Sequence, residues 1–249
     1  MEMHFGLSMA EVLTGCVEQL PADELSSLQS RLLKGEPVQY VLGCAEFFGR
    51  RFHVAPGVLI PRPETEELCR WILDDDRRDR HHDSILDIGT GSGCIACTLA
   101  AELPHAEVSA WDIAEKALSI AADNAQQTGV HVNFSRVDIL RPVPPLEVWS
   151  TIVSNPPYIC QKEQLDMAPH VLQHEPHQAL FVPDDAPLLF YRAIASYAWQ
   201  ALKDDGRLFF ELNPLYADDV ANMLNAMGFT HTVIRKDQFD KERFIKTCK

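Results

Sequence analysis

From residue 84 onward, short apolar runs that favour β-strands alternate with longer runs that favour helices. This alternation is typical of βαβ units, in which parallel strands are joined by helices packed on the sheet. The last two strand candidates have no helix between them, so we expect them to pair antiparallel. We therefore predict an α/β fold, a doubly wound Rossmann-like sheet of seven mostly parallel strands. The strand candidates are 84–88, 107–111, 132–137, 151–154, 207–212, 230–235 and 243–246, and the helix candidates are 93–102, 114–128, 186–202 and 216–227.

The tetrapeptide Asn155-Pro156-Pro157-Tyr158 directly follows one of these strand candidates. Its prolines have no N–H group for a sheet ladder, so the strand must end there. Ligands of open α/β sheets bind at the carboxyl ends of the strands. The rigid loop presents an amide, the Pro156 carbonyl and an aromatic face, which together could hold a planar amino group. Taken alone, an ordinary strand-ending turn explains the tetrapeptide equally well.

A glycine turn follows the first strand of the alternating region and opens a helix. Gly89, Gly91 and Gly93 have the spacing G-x-G-x-G rather than the G-x-G-x-x-G of dinucleotide sites. Such a turn lets a ligand approach the backbone, and a helix N-terminus offers N–H groups to a carboxylate. Asp112 and Asp138 end the next two strands, where a carboxylate can bind ribose hydroxyls; Asp112 could also cap the following helix. Together these residues predict a nucleoside cofactor with an amino-acid tail, which is S-adenosylmethionine.

Before residue 84 the sequence pattern predicts short helices and a β-hairpin rather than alternating strands and helices. We predict a small helical piece over residues 1–34, where the leucines at 25, 28, 32 and 33 are spaced as on one helical face. Residues 47–54 predict a β-hairpin with Gly49 near the turn. Residues 60–66 lead into an amphipathic helix, and the run 74–83 is interpreted as a charged linker.

The formal net charge of −14 limits the classes of partner. It argues against a broad nucleic-acid-binding face, which needs clustered Lys and Arg, and it suits a basic protein partner. The chain has no apolar run of transmembrane length and no secretory signal pattern at residues 1–16. We expect a cytoplasmic protein that does not associate with membranes.

The seven cysteines are odd in number and scattered, which fits a reducing compartment. Cys94 and Cys97 have C-x-x-C spacing, but they begin a helix after a glycine turn, and we favour close packing over redox chemistry. No second C-x-x-C completes a zinc site.

Three histidines, His170, His174 and His177, could be drawn as a metal cluster. Pro169 and Pro176 break any single helix that would align them. We interpret them as surface loop residues and predict no metal.

Several separate motifs, together covering the chain from Gly35 almost to its end, resemble those of the release-factor glutamine N5-methyltransferase family. The Asn-Pro-Pro-Tyr tetrapeptide alone is shared with amino-methylating DNA enzymes, whereas its combination with IPRPETE is far more specific. The motifs are GEPVQYVLG at 35–43, IPRPETE at 60–66, LDIGTGSG at 86–93, SNPPYI at 154–159, and Glu175-Pro176 with Ala179-Leu180.

The resemblance implies a class I methyltransferase domain preceded by a small helical domain that helps to dock the substrate. The implied substrate is a peptide-chain release factor, which is modified on the glutamine of its Gly-Gly-Gln tripeptide. Asn155 and the Pro156 carbonyl would hold the target amide, beside Pro157, with Tyr158 packing against it; Asn155, Pro156 and Tyr158 are the expected catalytic residues. Asp138 and Ile139 would lie against the adenine. The implied residues for S-adenosylmethionine are Asp87, Gly89, Thr90, Gly91, Ser92, Gly93, Asp112, Asp138, Ile139 and Asn155.

The implied domains are 1–36, a helical docking domain; 37–63, a β-hairpin linker; and 64–249, the methyltransferase domain of an expected monomer. The family usually carries more than 34 residues before the first motif. Either the helical domain is reduced in this chain, or the given start is internal, since Met1, Met3 and Met9 all lie in what could be the middle of a helix. Asn213 also stands where the family more often has glycine.

Two other functions remain open at this point. A DNA adenine N6-methyltransferase would also bind a planar amino group, on a flipped base, although the negative charge and the lack of a DNA-reading segment oppose it. A cofactor-binding scaffold without catalysis is the second alternative.

Overall fold

The computed structural model describes residues 6–14, 20–79, 83–145 and 148–249, and opens with short helices. They are α1 (Met9–Leu13), α2 (Ala22–Leu33) and α3 (Val38–Leu42). No residue of α2 is buried, and Arg31 on this helix donates hydrogen bonds to the carbonyls of Tyr40 and Val41 in α3. The predicted helical piece is therefore present in part; Met1, Met3 and Cys16 lie outside the described residues.

The predicted β-hairpin follows α3. Strand β1 (Cys44–Phe47) pairs antiparallel with β2 (Arg50–His53). Phe48 and Gly49 both have positive φ, 51° and 71°, as the two central residues of a tight hairpin turn require. This confirms the hairpin and the place of its turn.

Helix α4 (Pro63–Asp79) is longer than the sequence predicted. It runs through the acidic segment that we interpreted as a linker from residue 74, so that interpretation was wrong for residues 74–79. The reason is tertiary: Asp75 is 6% exposed and is paired with Arg207 and with Lys246, whose Nζ lies 2.8 Å from the Asp75 carboxylate. Because Asp75 is buried and paired with two cations, this acidic segment can form a packed helix rather than a solvent-exposed loop.

The remaining elements alternate as predicted, with two additions after residue 158: short helices and a two-residue strand pair. The elements are β3 (Ser84–Ile88), α5 (Cys94–Glu102), β4 (Glu107–Asp112), α6 (Glu115–Thr128), β5 (Asn133–Arg136), β6 (Trp149–Ser154), β7 (Ile159–Cys160), α7 (Pro169–His174), α8 (His177–Leu180), β8 (Phe181–Val182), α9 (Leu189–Ala201), β9 (Leu202–Glu211), α10 (Ala217–Ala226), β10 (Thr230–Lys236) and β11 (Glu242–Cys248).

The large sheet has seven strands in the order β10-β11-β9-β6-β3-β4-β5. Strand β11 runs antiparallel to both of its neighbours, and the other pairings are parallel. The doubly wound, mostly parallel sheet and the antiparallel last pair are both confirmed. The strands that follow β3 in the chain, β4 and β5, lie on one side of it, whereas β6 and the later strands lie on the other side. The strand order therefore reverses between the paired strands β3 and β6. The carboxyl ends of these two strands form the topological switch point, where such folds bind ligands.

Apolar layers cover both faces of the sheet. On one face, α4, α5 and the hairpin bury residues such as Leu68, Leu99 and Phe52; on the other, α9 and α10 bury residues such as Tyr191 and Leu224. Within the described residues, no helix has the length and apolarity needed to span a membrane.

Candidate active site

A cavity of 240 Å³ lies at the carboxyl edge of the sheet, over the switch point between β3 and β6. The glycine turn after β3 and the loop after β6 form two of its walls. The segment between the hairpin and α4 also lines it, through residues such as Val58, Leu59 and Arg62. The predicted site residues that line it are Gly89, Thr90, Gly91, Ser92, Asp112, Asp138, Ile139, Asn155, Pro156 and Pro157.

The glycine turn presents bare backbone to this cavity. Gly89 and Gly91 have φ of 77° and 55°, and a Cβ atom at either position would have no other atom within 4 Å. The N–H groups of Gly89 and Thr90 donate to the Trp111 carbonyl, at 2.8 and 3.0 Å. These donors are thus used within the protein, and the turn offers a ligand close approach and open space rather than the free N–H groups of these two residues.

Two predicted residues of this segment support the turn without lining the cavity. Gly93 has φ of 78°, and a Cβ there would lie 2.9 Å from Cβ of Ala121, so this glycine lets α5 pack closely on α6. Asp87 is fully buried, and its Oδ2 accepts a hydrogen bond of 2.6 Å from the Thr90 hydroxyl. Burial raises the pKa of Asp87 to about 7, and no described residue forms a hydrogen bond with its Oδ1.

The acids after β4 and β5 both face the cavity. Asp112 accepts hydrogen bonds from the N–H groups of Gly91 and Ala114, each at 2.9 Å. It thereby braces the glycine turn and the start of α6, and a carboxylate has further lone pairs for a ligand. Asp138 accepts from the Leu140 N–H at 3.1 Å, and Ile139 beside it supplies an apolar wall.

The loop after β6 leaves two hydrogen-bond acceptors at the cavity. Nδ2 of Asn155 donates to Oγ1 of Thr65 at 3.2 Å. Among the described residues, none donates a hydrogen bond to Oδ1 of Asn155 or to the Pro156 carbonyl. Tyr158 does not line the cavity; its hydroxyl donates to Oε1 of Glu211 at 3.0 Å. The structure therefore brings Asn155 and Pro156 to the cavity and turns Tyr158 toward the sheet.

Thr65 lines the cavity, and Glu211 is hydrogen-bonded to Thr65; we predicted neither as a site residue. Glu211 ends β9, is 2% exposed, and accepts a 2.7 Å hydrogen bond from the Thr65 hydroxyl at its Oε2. Burial raises the pKa of Glu211, against the opposing effect of the Thr65 and Tyr158 hydrogen bonds and of Arg243. The available signal in the sequence was an acid that closes the apolar run Leu208-Phe209-Phe210.

An ion pair joins two motifs at the rim of the cavity. Nη2 of Arg62 lies 2.5 Å from Oε1 of Glu175, whose side chain is 1% exposed. The other oxygen of Glu175 accepts from the Ile60 N–H at 3.2 Å. The IPRPETE motif and the Glu175-Pro176 motif, more than a hundred residues apart in the chain, thus meet at one place.

The cysteines and histidines do not form a second site in the described part of the chain. Burial raises the pKa of Cys94 and of Cys97 to about 12 each, so both stay protonated thiols at neutral pH. His170 and His174 lie on α7 and His177 on α8, separated by Pro176 as expected, although on short helices rather than on a loop. No group of three or more His, Cys, Asp or Glu in the described residues is placed to hold a metal ion.

Comparison with known proteins gives relatives that extend over nearly the whole chain. The family model "Methyltransferase small domain" matches residues 71–181. The chain is 44% identical to the release factor glutamine methyltransferase of Bacteroides thetaiotaomicron, over 94% of this chain and 82% of that protein. It is 36% identical to the protein of the same name from Bacillus subtilis, over 96% and 86% of the two chains.

Solved structures share the fold at low sequence identity. A methyltransferase from Pyrococcus furiosus superposes with a TM-score of 0.57 and 16% identity, over 90% of this chain and 98% of that one. A ribosomal protein L11 methylase from Lactobacillus delbrueckii gives a TM-score of 0.53 at 19% identity, over 82% and 88%. These likenesses establish the class I methyltransferase fold.

Proposed function

The chain belongs to the release factor glutamine methyltransferase family, and on that premise we propose that it methylates the glutamine of the Gly-Gly-Gln tripeptide in peptide-chain release factors. The methyl donor is S-adenosylmethionine and the acceptor atom is the side-chain amide nitrogen, N5. One observation carries the proposal. A glycine cradle, two acids and two hydrogen-bond acceptors open onto the same cavity, and no described residue donates to those two acceptors.

The residues present fit this cofactor. Gly89 and Gly91 leave space over the backbone that any Cβ would fill, as close approach of a ligand requires. Asp112 and Asp138 supply carboxylate oxygens suited to ribose hydroxyls, and Ile139 supplies an apolar wall suited to a purine ring. When bound, S-adenosylmethionine would supply an electrophilic methyl group: its methyl–sulfur bond would break as the nitrogen–carbon bond forms, S-adenosylhomocysteine would leave, and the methylated nitrogen would lose one proton to water.

Asn155 and Pro156 suit the two hydrogens of a primary amide. Oδ1 of Asn155 and the Pro156 carbonyl are acceptors on a loop made rigid by consecutive prolines. An amide nitrogen is a poor nucleophile because its lone pair is delocalised, so fixing its position is the main task. Correct placement can remove roughly 7–11 kcal/mol of barrier in the most favourable cases. Because positive charge develops on the nitrogen during transfer, both hydrogen bonds strengthen in the transition state, which is where stabilisation increases the rate.

The release factor is proposed to approach an acidic protein as a basic partner. The net charge of −14 favours association with a positively charged surface. We further propose that the enzyme works as a cytoplasmic monomer, with residues 1–36 and the hairpin of 37–63 contributing to docking next to the methyltransferase domain of 64–249.

The experiment that tests this function compares two acceptors directly. The chain is incubated with methyl-labelled S-adenosylmethionine and either a full-length release factor or adenine-containing duplex DNA. Mass spectrometry of the digested factor should locate one methyl group on the glutamine of the tripeptide. A factor in which that glutamine is replaced by alanine is the matched control and should stay unlabelled.

Two results would contradict the proposal. Label on the DNA and none on the factor would point to the adenine methyltransferase. Tight binding of S-adenosylmethionine with no transfer to either acceptor would point to a non-catalytic scaffold.

A further inference from the structure

Glu211 is a buried acid that contacts one end of the loop after β6 directly and the other end through Thr65. Its Oε2 accepts from the Thr65 hydroxyl at 2.7 Å, and its Oε1 accepts from the Tyr158 hydroxyl at 3.0 Å. Thr65 in turn contacts Asn155. Placing an acid at 2% exposure costs free energy unless its oxygens are hydrogen-bonded, and here both oxygens are bonded to groups that lead to the site.

The hydrogen-bond directions along this chain of groups are fixed by simple chemistry. The Thr65 hydroxyl donates to Oε2 of Glu211 at 2.7 Å, and a threonine hydroxyl has only one hydrogen to donate. Because the Thr65 hydrogen goes to Glu211, the Thr65 oxygen can only accept from Asn155. The end of the Asn155 amide that faces Thr65 must then be the NH₂ group, as the Nδ2–Oγ1 distance of 3.2 Å records.

The second branch holds the far end of the loop. Besides the Tyr158 hydroxyl, the Tyr158 backbone carbonyl is fixed, since it accepts from Nδ2 of Asn213 at 3.0 Å. The strand end at Glu211 and the residues that follow it therefore brace the loop at two points.

We propose that Glu211 is a positioning residue for methyl transfer, which acts through Thr65 to keep the Asn155 amide in the orientation that presents Oδ1, and not NH₂, to the substrate amide. The inference rests on the proposed function, because it deepens the role of the same site. An Asn155 turned the other way would present a donor to a donor, and the hydrogen bond to the target amide would be lost.

The first test measures orientation without any reaction. The side-chain NH₂ signals of Asn155 are assigned in the ¹⁵N NMR spectrum of the free enzyme by their loss in Asn155→Asp. Thr65→Val and Glu211→Gln should each shift these signals or speed their exchange with water, and Thr65→Ser, which keeps the hydroxyl, should restore them. Unchanged Asn155 signals in Glu211→Gln would overturn the proposal, whatever the enzyme's substrate proves to be.

The second test asks whether Glu211 acts through Asn155. On the release factor, Glu211→Gln should lower kcat by about 10- to 100-fold, the loss typical of a group that orients a ligand-holding residue. The Kd for S-adenosylmethionine should stay the same. In the Asn155→Ala background the same substitution should have almost no further effect, because coupled groups are not additive.

Controls separate positioning from folding and from the function itself. Glu102→Gln, which removes an ion pair with Arg50 away from the cavity, should leave kcat unchanged. If Glu211→Gln lowers kcat equally in the parent and in Asn155→Ala, or weakens cofactor binding as much as it lowers kcat, the role is structural and the proposal fails. If the parent enzyme transfers no methyl group while the NMR result stands, the proposed function fails and the orientation of Asn155 does not.

Discussion

At the scale of single residues, the hydrogen bonds that Oδ1 of Asn155 and the Pro156 carbonyl can offer are expected to determine the rate. Asn155→Ala removes one of the two acceptors from the cavity and leaves the glycine turn intact. We expect kcat to fall by about 10²- to 10³-fold, as when one positioned polar group is lost from an active site. Calorimetric titration should show nearly unchanged affinity for S-adenosylmethionine.

The control for this substitution is Asn133→Ala, at an exposed position that starts β5. It should behave as the parent in both assays. Near-normal turnover of Asn155→Ala would show that the amide is held by other groups.

Two glycines of the same turn should respond differently to the same change. Gly91→Ala and Gly93→Ala place a Cβ at similar positive φ, 55° and 78°, and so carry a similar backbone cost of roughly 1–2 kcal/mol. The Cβ at Gly91 enters the open cavity, whereas that at Gly93 meets Ala121 at 2.9 Å. We expect Gly91→Ala mainly to weaken cofactor binding and Gly93→Ala to lose more of the free energy of unfolding.

Urea unfolding and cofactor titration of both variants check this contrast. Equal losses of stability, with equal cofactor affinity, would mean that Gly91 does not face the ligand.

Asp87 should make stability depend on pH near neutrality. Burial raises its pKa to about 7 in the folded state, above the value of about 3.9 for an unfolded aspartate. Its contribution to stability is therefore fully present below the unfolded pKa and is lost progressively as the pH rises to about 7, because over that range the folded state keeps a proton that the unfolded chain has given up. Asp87→Asn should remove this slope in urea-unfolding free energies measured from about pH 5 to about pH 8. Parallel curves for the two proteins would contradict the assignment.

Residue-level prediction from the sequence succeeded where the signal was local. Gly89 and Gly91 lie in the turn after β3 and Asp112 ends β4, so their place at the sheet edge was fixed once the strands were recognised. Glu211 and Thr65 are 146 residues apart, and only the folded sheet brings them together. The side chain of Tyr158 could not be placed for the same reason, since its direction depends on Glu211.

At the scale of secondary-structure elements, Asn124 joins α6 and β2 to the glycine turn. It is fully buried on α6; its Oδ1 accepts from the His53 N–H at 2.6 Å, and its Nδ2 donates to the carbonyls of His53 in β2 and Ser92 in the glycine turn. The hairpin is thus attached to the cofactor cradle by one side chain.

Asn124→Ala removes the side-chain partner of the buried Ser92 carbonyl and of the part-buried His53 backbone groups. We expect a loss of about 1–3 kcal/mol or more in the free energy of unfolding, together with faster hydrogen exchange of the His53 amide. Gln126→Ala, at an exposed position of the same helix, is the control and should show neither effect. If Asn124→Ala is as stable as Gln126→Ala, the hairpin is held by its apolar contacts alone.

The order of the elements followed from periodicity, because buried parallel strands and the helices between them differ in length and pattern. The C-terminal limit of α4 could not be predicted from periodicity. Asp75 is stabilised by Arg207 and Lys246, 132 and 171 residues away, and no local pattern shows that an acidic run has such partners.

At the scale of the whole molecule, the net charge of −14 should influence association with the release factor more than the reaction step. Long-range attraction between exposed charges is screened within about 8 Å at physiological ionic strength, whereas hydrogen bonds inside the cavity are not. We therefore expect kcat/KM for a release factor to fall steeply as KCl is raised from about 0.05 M to about 0.3 M. The value of kcat at saturating release factor should change little.

The KM for S-adenosylmethionine, measured in the same series, is the internal control. It should vary less than the KM for the protein substrate, because the cofactor is small and meets the cavity rather than the whole acidic surface. If kcat/KM for the release factor stayed constant across the salt series, the acidic surface would have no part in docking. Recognition would then depend on short-range contacts at the hairpin and at the rim formed by Arg62 and Glu175.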